Sequence, residues 1–456
     1  MVFTLLGIFY SRKNQNLNNY LLAGRSVGVS SLTASLVSSA LGAWILFGPA
    51  SAATWGGIGS VIGYSLGTAF PLFILIYLGK IFRKKYSNCK TLIEVIRKKF
   101  GHKLFKLILF LSIFYMLIFL IAEVTAVSIL IKYISGTDLW ITAFIIILSS
   151  LFYTLYGGLR ASILTDNIQF VILIILLIVI FNFLITQNSS EFNLSFIKLN
   201  KPNLLSLDYL PNFTAGLTFF IAVAATNLFH QGNWQRVYAA KNDEVLKKSL
   251  FFSFLIIIPI VFLMGFSGLI SVSSNNDVIP DLAFFSLLIK NHTLGLSIVI
   301  ILLSISLTIS SIDTLINAIS SLIIVDGNKL LKFKGNYFKL SKYIIILLSL
   351  IAFYIASKGL SILYLFLLAD LFCCSAVLTV FAGFYNKSLT EKNAYISIIF
   401  GLIIGLLFFP SPDFSKSILV GILFPVEFFP PFMAQSLLFL SFLLSTLVPM
   451  TTWKIK

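Results

Sequence analysis

Apolar runs of about 20 residues follow one another through most of the chain, and this feature constrains the fold most strongly. Helical runs of that length match the hydrocarbon core of a lipid bilayer. Charged residues make up only 11% of the 456 residues, whereas soluble domains carry about 25%. The sequence therefore predicts an all-α integral membrane protein and excludes a soluble enzyme.

Twelve apolar segments are predicted to cross the membrane after a shorter N-terminal stub. The stub, 1–10, is too short to span a bilayer, and we interpret it as a truncated first helix rather than as a signal peptide. An amphipathic helix over 91–101 and a short helix over 282–289 are predicted in the loops. The predicted spans are 29–55, 57–79, 105–131, 138–156, 161–186, 213–233, 249–271, 296–325, 341–357, 361–385, 393–410 and 432–449.

Positive charge is distributed in a way that supports this layout. We place the loop after the stub in the cytoplasm and let successive loops alternate between the two sides of the membrane. Most of the 33 lysines and arginines then fall in cytoplasmic segments. This asymmetry follows the positive-inside rule and predicts a multi-pass protein of the inner or plasma membrane with a cytoplasmic C-terminus. The net charge of +17 then reflects topology, so neither a nucleic-acid partner nor an obligate protein partner is expected.

The eighth predicted span combines an apolar composition with a ladder of polar side chains. Steps of four, three, four and four residues place the ladder on one face of a helix. Its members are Ser306, Ser310, Asp313, Asn317 and Ser321. Polar groups in hydrocarbon are costly unless they face protein, a cavity or an ion, and hydroxyl and carboxyl oxygens suit a hard cation. The ladder therefore favours a transporter with a cation site.

Three other local patterns bear on the fold. The first predicted span is rich in small residues and carries Gly48 and Pro49, which indicate either local unwinding or close helix packing. Gly158 predicts a tight turn before the fifth span, and Asp166 follows about one and a half turns into that helix. Segment 230–243 is predicted to be a polar, basic loop.

Two further acidic residues, besides Asp166 and Asp313, lie in the interior of predicted spans. Glu123 is near the middle of the third span and Asp370 lies in the tenth, with no lysine or arginine at mid-span to pair with them. Such carboxyls are protonated, hydrogen-bonded or turned toward a cation. We interpret Glu123 as a contact for an amine-bearing substrate or a proton; the alternative is a protonated side chain bonded to a neighbouring helix.

Four segments together resemble the sodium/solute symporter family, which includes transporters of proline, galactose, sialic acid and pantothenate. They are YLLAGRSVG (20–28), GGLRASILTDNIQ (157–169), NWQRVYAAKND (233–243) and ISSIDTLINAISSLIIVD (309–326). The resemblance implies a LeuT-like fold in which core helices one to five and six to ten form an inverted repeat. It implies one transporter domain over 1–456, comprising a cytoplasmic lead-in (1–28), core helices one to five (29–186), core helices six to ten (213–385) and two peripheral helices (393–449).

The resemblance also implies a sodium site, with sodium as a coupling ion rather than a prosthetic group. Its implied ligands are the carbonyls of Ser38, Leu41 and Leu307 and the hydroxyls of Ser310 and Ser311.

Some members hold a second sodium with an aspartate that matches Asp166 and with an additional serine. Leu307 replaces that serine here, so one coupled sodium is expected, and Asp166 is a candidate secondary or transient ion ligand. The alternative reading of Asp166 is a carboxylate near the cytoplasmic surface, stabilised by the helix dipole.

The predicted function is sodium-coupled import of a small organic solute by alternating access. A membrane sensor of the same fold and a proton-coupled or passive permease are the alternatives. Candidate solute-pocket or gate residues are Ala40, Trp44, Glu123, Thr218, Phe219 and Asn227.

Overall fold

The structure is a computed structural model of the 456-residue chain. It describes residues 17–187, 194–275, 277–289, 293–331, 335–412, 414, 416–417, 419 and 432–454. The predicted stub, 1–10, lies outside the described residues.

Helices account for nearly all regular structure, and the described part of the chain contains no strand. The helices are α1 (Leu17–Leu22), α2 (Val29–Ala40), α3 (Gly48–Lys85), α4 (Leu92–Phe100), α5 (His102–Ser135), α6 (Leu139–Gln187), α7 (Leu194–Asn200), α8 (Leu210–Phe229), α9 (Gln231–Ala239), α10 (Asp243–Ser274), α11 (Ala283–Ile289), α12 (Leu294–Leu322), α13 (Asn328–Leu331), α14 (Tyr337–Ala356), α15 (Ile362–Phe381), α16 (Glu391–Phe408) and α17 (Phe432–Leu447). The predicted loop helices correspond to α4 and α11.

Ten helical segments in the described ranges are long and apolar enough to cross a membrane. The apolar helices Val29–Ala40 and Leu139–Leu151 are shorter. The all-α membrane fold is thus confirmed, whereas helix length alone does not establish the predicted count of twelve spans. The proposed division into core and peripheral helices stays a prediction.

The first predicted span, 29–55, is a broken helix. α2 ends where Leu41 leaves helical geometry (φ −95°, ψ 83°), a 3₁₀ turn covers Ala43–Leu46, and α3 begins at Gly48 with a proline in its first turn. Proline suits this position because the first residues of a helix have no intrahelical partner for an N–H group, and proline has none. Its fixed φ also matches helical geometry. Of the two readings left open by the small residues, the structure favours unwinding.

Glycines with positive φ bend two long helices. Gly57 in α3 has a φ of 53°, and Gly158 in α6 has a φ of 61°, a region that residues with a Cβ rarely adopt. Gly158 separates the predicted spans 138–156 and 161–186, so the predicted turn is confirmed.

The prediction of a polar loop over 230–243 is wrong, because most of this segment forms α9. Every residue of α9 is buried, and several of its polar side chains, among them Asn233, Trp234 and Arg236, are hydrogen-bonded inside the protein. The Trp234 indole N–H donates to the carbonyl of Leu228 at 2.7 Å. The segment before α2 pairs with the end of α9, where the amide of Val27 donates to the carbonyl of Ala239 at 3.1 Å.

Several long helices pack around the break. α3 packs most extensively against α8 and α10, whereas α12 packs against α6, α5 and α2. The 3₁₀ turn at the break contacts α5 and α12. Within the polar ladder of α12, Ser310 lies against Ser38 near the end of α2.

Candidate ion and solute sites

Oxygen atoms from three helices converge where α2 ends. The Ser310 hydroxyl oxygen on α12 lies 3.2 Å from both the hydroxyl and the carbonyl oxygen of Ser38, and 2.8 Å from Oδ1 of Asp166 on α6. All three side chains are buried. A hydroxyl has one proton to donate, so Ser310 cannot satisfy all of these acceptors at once. This surplus of hard oxygen lone pairs suits a monovalent cation.

The end of α2 adds backbone oxygens to this region. Carbonyls in the last turn of a helix mostly lack a helical N–H partner. At the end of α2, the carbonyl of Val37 is satisfied by the amide of Leu41 at 2.9 Å, and that of Ala40 by the Trp44 indole at 3.0 Å. The carbonyl of Ser38, by contrast, faces the Ser310 hydroxyl. The structure therefore brings Ser38 and Ser310 together, as the resemblance implies.

The remaining implied sodium ligands lie nearby in the chain. Leu41 is the residue at which α2 breaks, and Leu307 lies one turn before Ser310 and Ser311 on α12. In the described ranges, no group of three or more His, Cys, Asp or Glu side chains could hold a metal ion. The donor set consists of hydroxyls, carbonyls and one carboxylate, which is typical of an alkali cation rather than a transition metal.

Asp166 forms a fully buried ion pair that the sequence did not predict. Its Oδ2 accepts from Nη2 of Arg236 on α9 at 2.7 Å, and both side chains have no exposed surface. Ser35 bridges the pair, donating to Asp166 at 2.6 Å and accepting from Nε of Arg236 at 2.7 Å. The charge of Asp166 is therefore balanced by Arg236 inside the protein, and not by the helix dipole alone.

Arg236 was missed because its neighbours in the sequence look like a solvated basic loop. The available signal was the apolar and aromatic set Trp234, Val237 and Tyr238 at helical spacing, which α9 buries. Further along α12, Nη2 of Arg236 also donates to Thr314 at 3.1 Å. Arg236 thus connects α9, α6 and α12 beside the convergent oxygens.

A central cavity lies on the other side of the break. Four of the predicted pocket residues line it: Ala40, Trp44, Glu123 and Asn227. Asp370 and Ser311 line it as well. The carboxylate of Glu123 accepts from the amide of Ala43 at 2.9 Å, and that of Asp370 accepts from the Thr226 hydroxyl at 2.6 Å. The described lining residues include these two carboxyl groups and neither lysine nor arginine.

Gly42 allows the backbone to approach both sites closely. A Cβ at this position would overlap Oε1 of Glu123 and the hydroxyl oxygen of Ser311. Glu123 lines the central cavity, and Ser311 follows Ser310 of the convergent oxygens. The break therefore links the two regions physically.

Two predicted pocket residues lie beside the cavity rather than in its lining. The ring of Phe219 stacks on Tyr64, with centroids 4.8 Å apart, and Tyr64 stacks on Trp44 at 5.7 Å. Thr218 donates its hydroxyl proton to the carbonyl of Thr214 at 2.8 Å. Phe219 thus supports the cavity wall from behind, and Thr218 is satisfied within α8.

Comparison with known sequences gives a consistent result. A sequence model of the sodium:solute symporter family matches residues 20–401, well over half of the chain. A spermidine transporter of Candida albicans is 27% identical over 387 residues, which cover 83% of this chain and 71% of that protein. The sodium/glucose cotransporter 4 of Danio rerio is 32% identical over 183 residues, covering 38% of this chain but only 27% of that protein.

Solved structures share the overall fold. A sodium-coupled sialic acid symporter, in a substrate-bound outward-open state, superposes with a TM-score of 0.76 at 18% identity and covers 99% of this chain and 94% of that one. Mhp1, a nucleobase-cation-symport-1 family transporter in a closed conformation, gives a TM-score of 0.60 at 13% identity, covering 96% of this chain and 95% of that one. These similarities confirm the LeuT-like architecture.

Proposed function

Since the chain belongs to the sodium:solute symporter family, we propose that it uses a sodium gradient to import a small organic cation through the central cavity. Family membership makes the chain a membrane transporter that couples a solute to sodium, and not an enzyme. The proposal concerns which solute is carried, where sodium binds and how the two are coupled.

One sodium ion is proposed to bind at the convergent oxygens. The donor set consists of the carbonyls of Ser38, Leu41 and Leu307 and the hydroxyls of Ser310 and Ser311. The observation that carries this assignment is the contact of Ser310 with both oxygens of Ser38 at 3.2 Å. Asp166 adds negative charge through its 2.8 Å contact with Ser310. Because Arg236 already neutralises the charge of that carboxylate, Asp166 polarises the proposed sodium site and does not form a second sodium site.

An amine-bearing solute fits the charge of the cavity. Glu123 and Asp370 present carboxyl groups to it without a lysine or arginine among the described lining residues. Glu123 accepts hydrogen bonds from the amides of Ala43 and Trp44, and Asp370 accepts one from the Thr226 hydroxyl. Since an ionised carboxyl group offers about four lone-pair sites, both groups retain lone pairs for a cation. The similarity to a spermidine transporter over 83% of the chain supports the same class of solute.

Coupling is proposed to act through the break between α2 and the 3₁₀ turn. On one side, Ser38 contacts the ion-site residue Ser310; on the other, the amide of Ala43 donates to the cavity residue Glu123. Sodium that orders the break from one side also positions Glu123 for the solute. The resulting free-energy coupling is reciprocal, so the solute raises sodium affinity by the same factor.

The proposed location is the cell membrane with the C-terminus in the cytoplasm. Ser388 and Lys358 are both exposed and fall on opposite predicted sides. The native cysteines in the described ranges, Cys89, Cys373 and Cys374, are buried. In intact cells, an impermeant thiol reagent should therefore label Lys358→Cys and not Ser388→Cys; the reverse pattern would contradict this orientation.

The solute assignment is tested by uptake into proteoliposomes. A panel of labelled diamines, polyamines, amino acids, sugars and carboxylates is offered with an inward sodium gradient. Diamines or polyamines should accumulate, and their uptake should fall when potassium replaces sodium. Accumulation of a neutral sugar without any amine would contradict the cationic solute.

Glu123→Gln tests the cavity contact without disturbing the break. The glutamine carbonyl can still accept from the amide of Ala43, but the negative charge is lost. We expect the amine concentration for half-maximal uptake to rise about tenfold, equivalent to about 1.4 kcal/mol. Unchanged amine affinity would remove Glu123 from the solute contacts.

A further inference from the structure

The two carboxyl groups of the central cavity come from different helices. Glu123 on α5 is 1% exposed and Asp370 on α15 is 3% exposed. Both line the cavity, and the lining residues that the structure describes include neither lysine nor arginine. Buried carboxylates are costly unless a cation pairs with them. The cavity therefore presents two carboxyl groups that a cationic solute could pair with.

Two aromatic contacts show how α5 and α15 run relative to each other. The rings of Phe119 on α5 and Phe366 on α15 have centroids 5.0 Å apart, and those of Phe114 and Phe372 have centroids 4.9 Å apart. The later residue on α15 thus contacts the earlier residue on α5. The two helices are therefore antiparallel.

This antiparallel register separates the two carboxyl-bearing positions. Interpolating between the two aromatic contacts places Asp370 level with about residue 116 of α5, about seven residues before Glu123. At a rise of 1.5 Å per residue, the two positions are about 11 Å apart along the helix axis.

Hydrogen bonds hold the two carboxyl groups to different parts of the protein. Glu123 accepts from the amides of Ala43 and Trp44 at the break, whereas Asp370 accepts from the Thr226 hydroxyl on α8. The two groups are therefore presented separately and do not converge on one ammonium group.

An aromatic pair lies between the two carboxyl groups. Phe119 precedes Glu123 by about one turn of α5, and Phe366 precedes Asp370 by about one turn of α15. Because the helices are antiparallel, the contact between the two rings falls between the carboxyl-bearing positions. Both phenylalanines line the cavity, and aromatic rings offer apolar surface to methylene groups. The cavity thus has an apolar middle with a carboxyl group toward each end.

We propose that the cavity selects a linear solute with two ammonium groups, one paired with Glu123 and the other with Asp370. This inference rests on the proposed function, because it assumes that the solute is an amine. Glu123, next to the break, binds the ammonium group that every amine solute carries, and Asp370 binds the second. Since both contacts belong to one solute, the second contact is intramolecular and raises the affinity.

The separation of the carboxyl groups limits the length of the solute. With contacts of about 2.9 Å at each end, the two nitrogens are between about 5 and 11 Å apart, depending on the angle of each contact. An extended chain advances about 1.2 Å per bond. The selected solute therefore has about three to eight methylene groups between its ammonium groups.

The test is competition against the sodium-driven uptake of a trace of labelled butane-1,4-diamine into proteoliposomes. Unlabelled α,ω-diamines from 1,2-diaminoethane to 1,10-diaminodecane are compared with straight-chain monoamines of the same carbon number. We expect an optimum at intermediate diamine length. There, the half-inhibitory concentration should be about tenfold lower than that of the matched monoamine.

Two substitutions of Asp370 test its contact with the second ammonium group. In Asp370→Asn, the half-inhibitory concentration of the diamines should rise about tenfold, and that of the monoamines should stay within about twofold. Asp370→Glu keeps the charge and lengthens the side chain by one methylene group, so the optimum should shift to a shorter diamine. Ser375→Ala is the control, because Ser375 is buried on α15 and donates to the carbonyl of Phe372 at 2.8 Å; it should change neither class.

Three outcomes would overturn the inference. Diamines and matched monoamines could inhibit equally in the wild type, or both classes could weaken in parallel in Asp370→Asn, which indicates a structural role. If Asp370→Asn is not monodisperse, Asp370→Glu decides the test, and an unchanged optimum contradicts the contact. Sodium-driven uptake of a monoamine but of no diamine would also overturn the inference while the proposed function stands. Absence of sodium-driven uptake of any amine would contradict the proposed function itself.

Discussion

At the scale of single residues, the cost of burying charge explains why Arg236 and Asp166 occur together. Each is fully buried, and each would be destabilising alone. Ser35 bridges them, and the carbonyl of Gly232 accepts from Nη1 of Arg236 at 3.1 Å. The pair joins α9 to α6 next to Ser310, and so fixes the position of a carboxylate that contacts the proposed ion site.

Arg236→Ala should destabilise the protein by about 3–5 kcal/mol, because it leaves Asp166 charged and unpaired. Thermal unfolding in detergent measures this loss. Arg236→Ala combined with Asp166→Asn should recover part of the stability, since no uncompensated charge remains. If the single and double variants are equally unstable, the pair is not the source of the loss.

Ser310→Ala should raise the external sodium concentration for half-maximal uptake about tenfold, because it removes a proposed ligand worth about 1.4 kcal/mol. Ser311→Ala should act in the same direction. Ser128→Ala is the control, since Ser128 is buried on α5 and donates to the carbonyl of Val124 at 2.7 Å. Unchanged sodium dependence in both α12 variants would disprove this ion-site assignment.

The polar ladder on α12 could be predicted because helical periodicity is a local property. Ser310 was placed correctly beside Ser38 only through the family resemblance, since nothing local specifies which helix faces it. The ion pair of Asp166 could not be predicted from spacing, because its partner is 70 residues away on another helix. Long-range pairing of buried charges leaves no periodic signal in one sequence.

At the scale of elements, the broken first helix is the feature on which both proposed sites depend. Small residues in this segment were compatible with unwinding or with tight packing, because each arrangement needs short side chains. The tertiary environment decides between them: Glu123 accepts from Ala43 and Ser310 faces the carbonyl of Ser38, so the interrupted backbone has partners. The first predicted span was expected to be a helix and is broken. In α9 the reverse holds: its polar composition predicted a loop, but the segment is a buried helix.

Gly42→Ala tests the geometry of the break. The added Cβ would overlap Glu123 and Ser311, and relieving such overpacking typically costs about 1–3 kcal/mol. We expect weaker sodium and solute affinity together, measured as both half-saturation concentrations. Gly28→Ala is the control, because a Cβ at Gly28 meets no atom within 4 Å. A change in only one affinity in Gly42→Ala would contradict the shared break.

At the scale of the whole molecule, the sequence specified the membrane class and most helix boundaries, since hydropathy and positive charge are read along the chain. It could not specify how many helices span the bilayer, because α2 and the first part of α6 are short apolar helices next to a break and a bend. The LeuT-like architecture then accounts for the break between α2 and α3, since interrupted helices line a central site in such transporters. The bend at Gly158 is instead the tight turn between two successive predicted spans.

The central claim is that a sodium gradient drives solute movement through the break in the first core helix. The most direct measurement is the initial rate of labelled polyamine uptake into proteoliposomes, with sodium outside only and then with equal sodium on both sides. We predict accumulation above the external concentration only with the gradient, and loss of that accumulation in Ser310→Ala at limiting sodium. Equal accumulation under both conditions would contradict the claim.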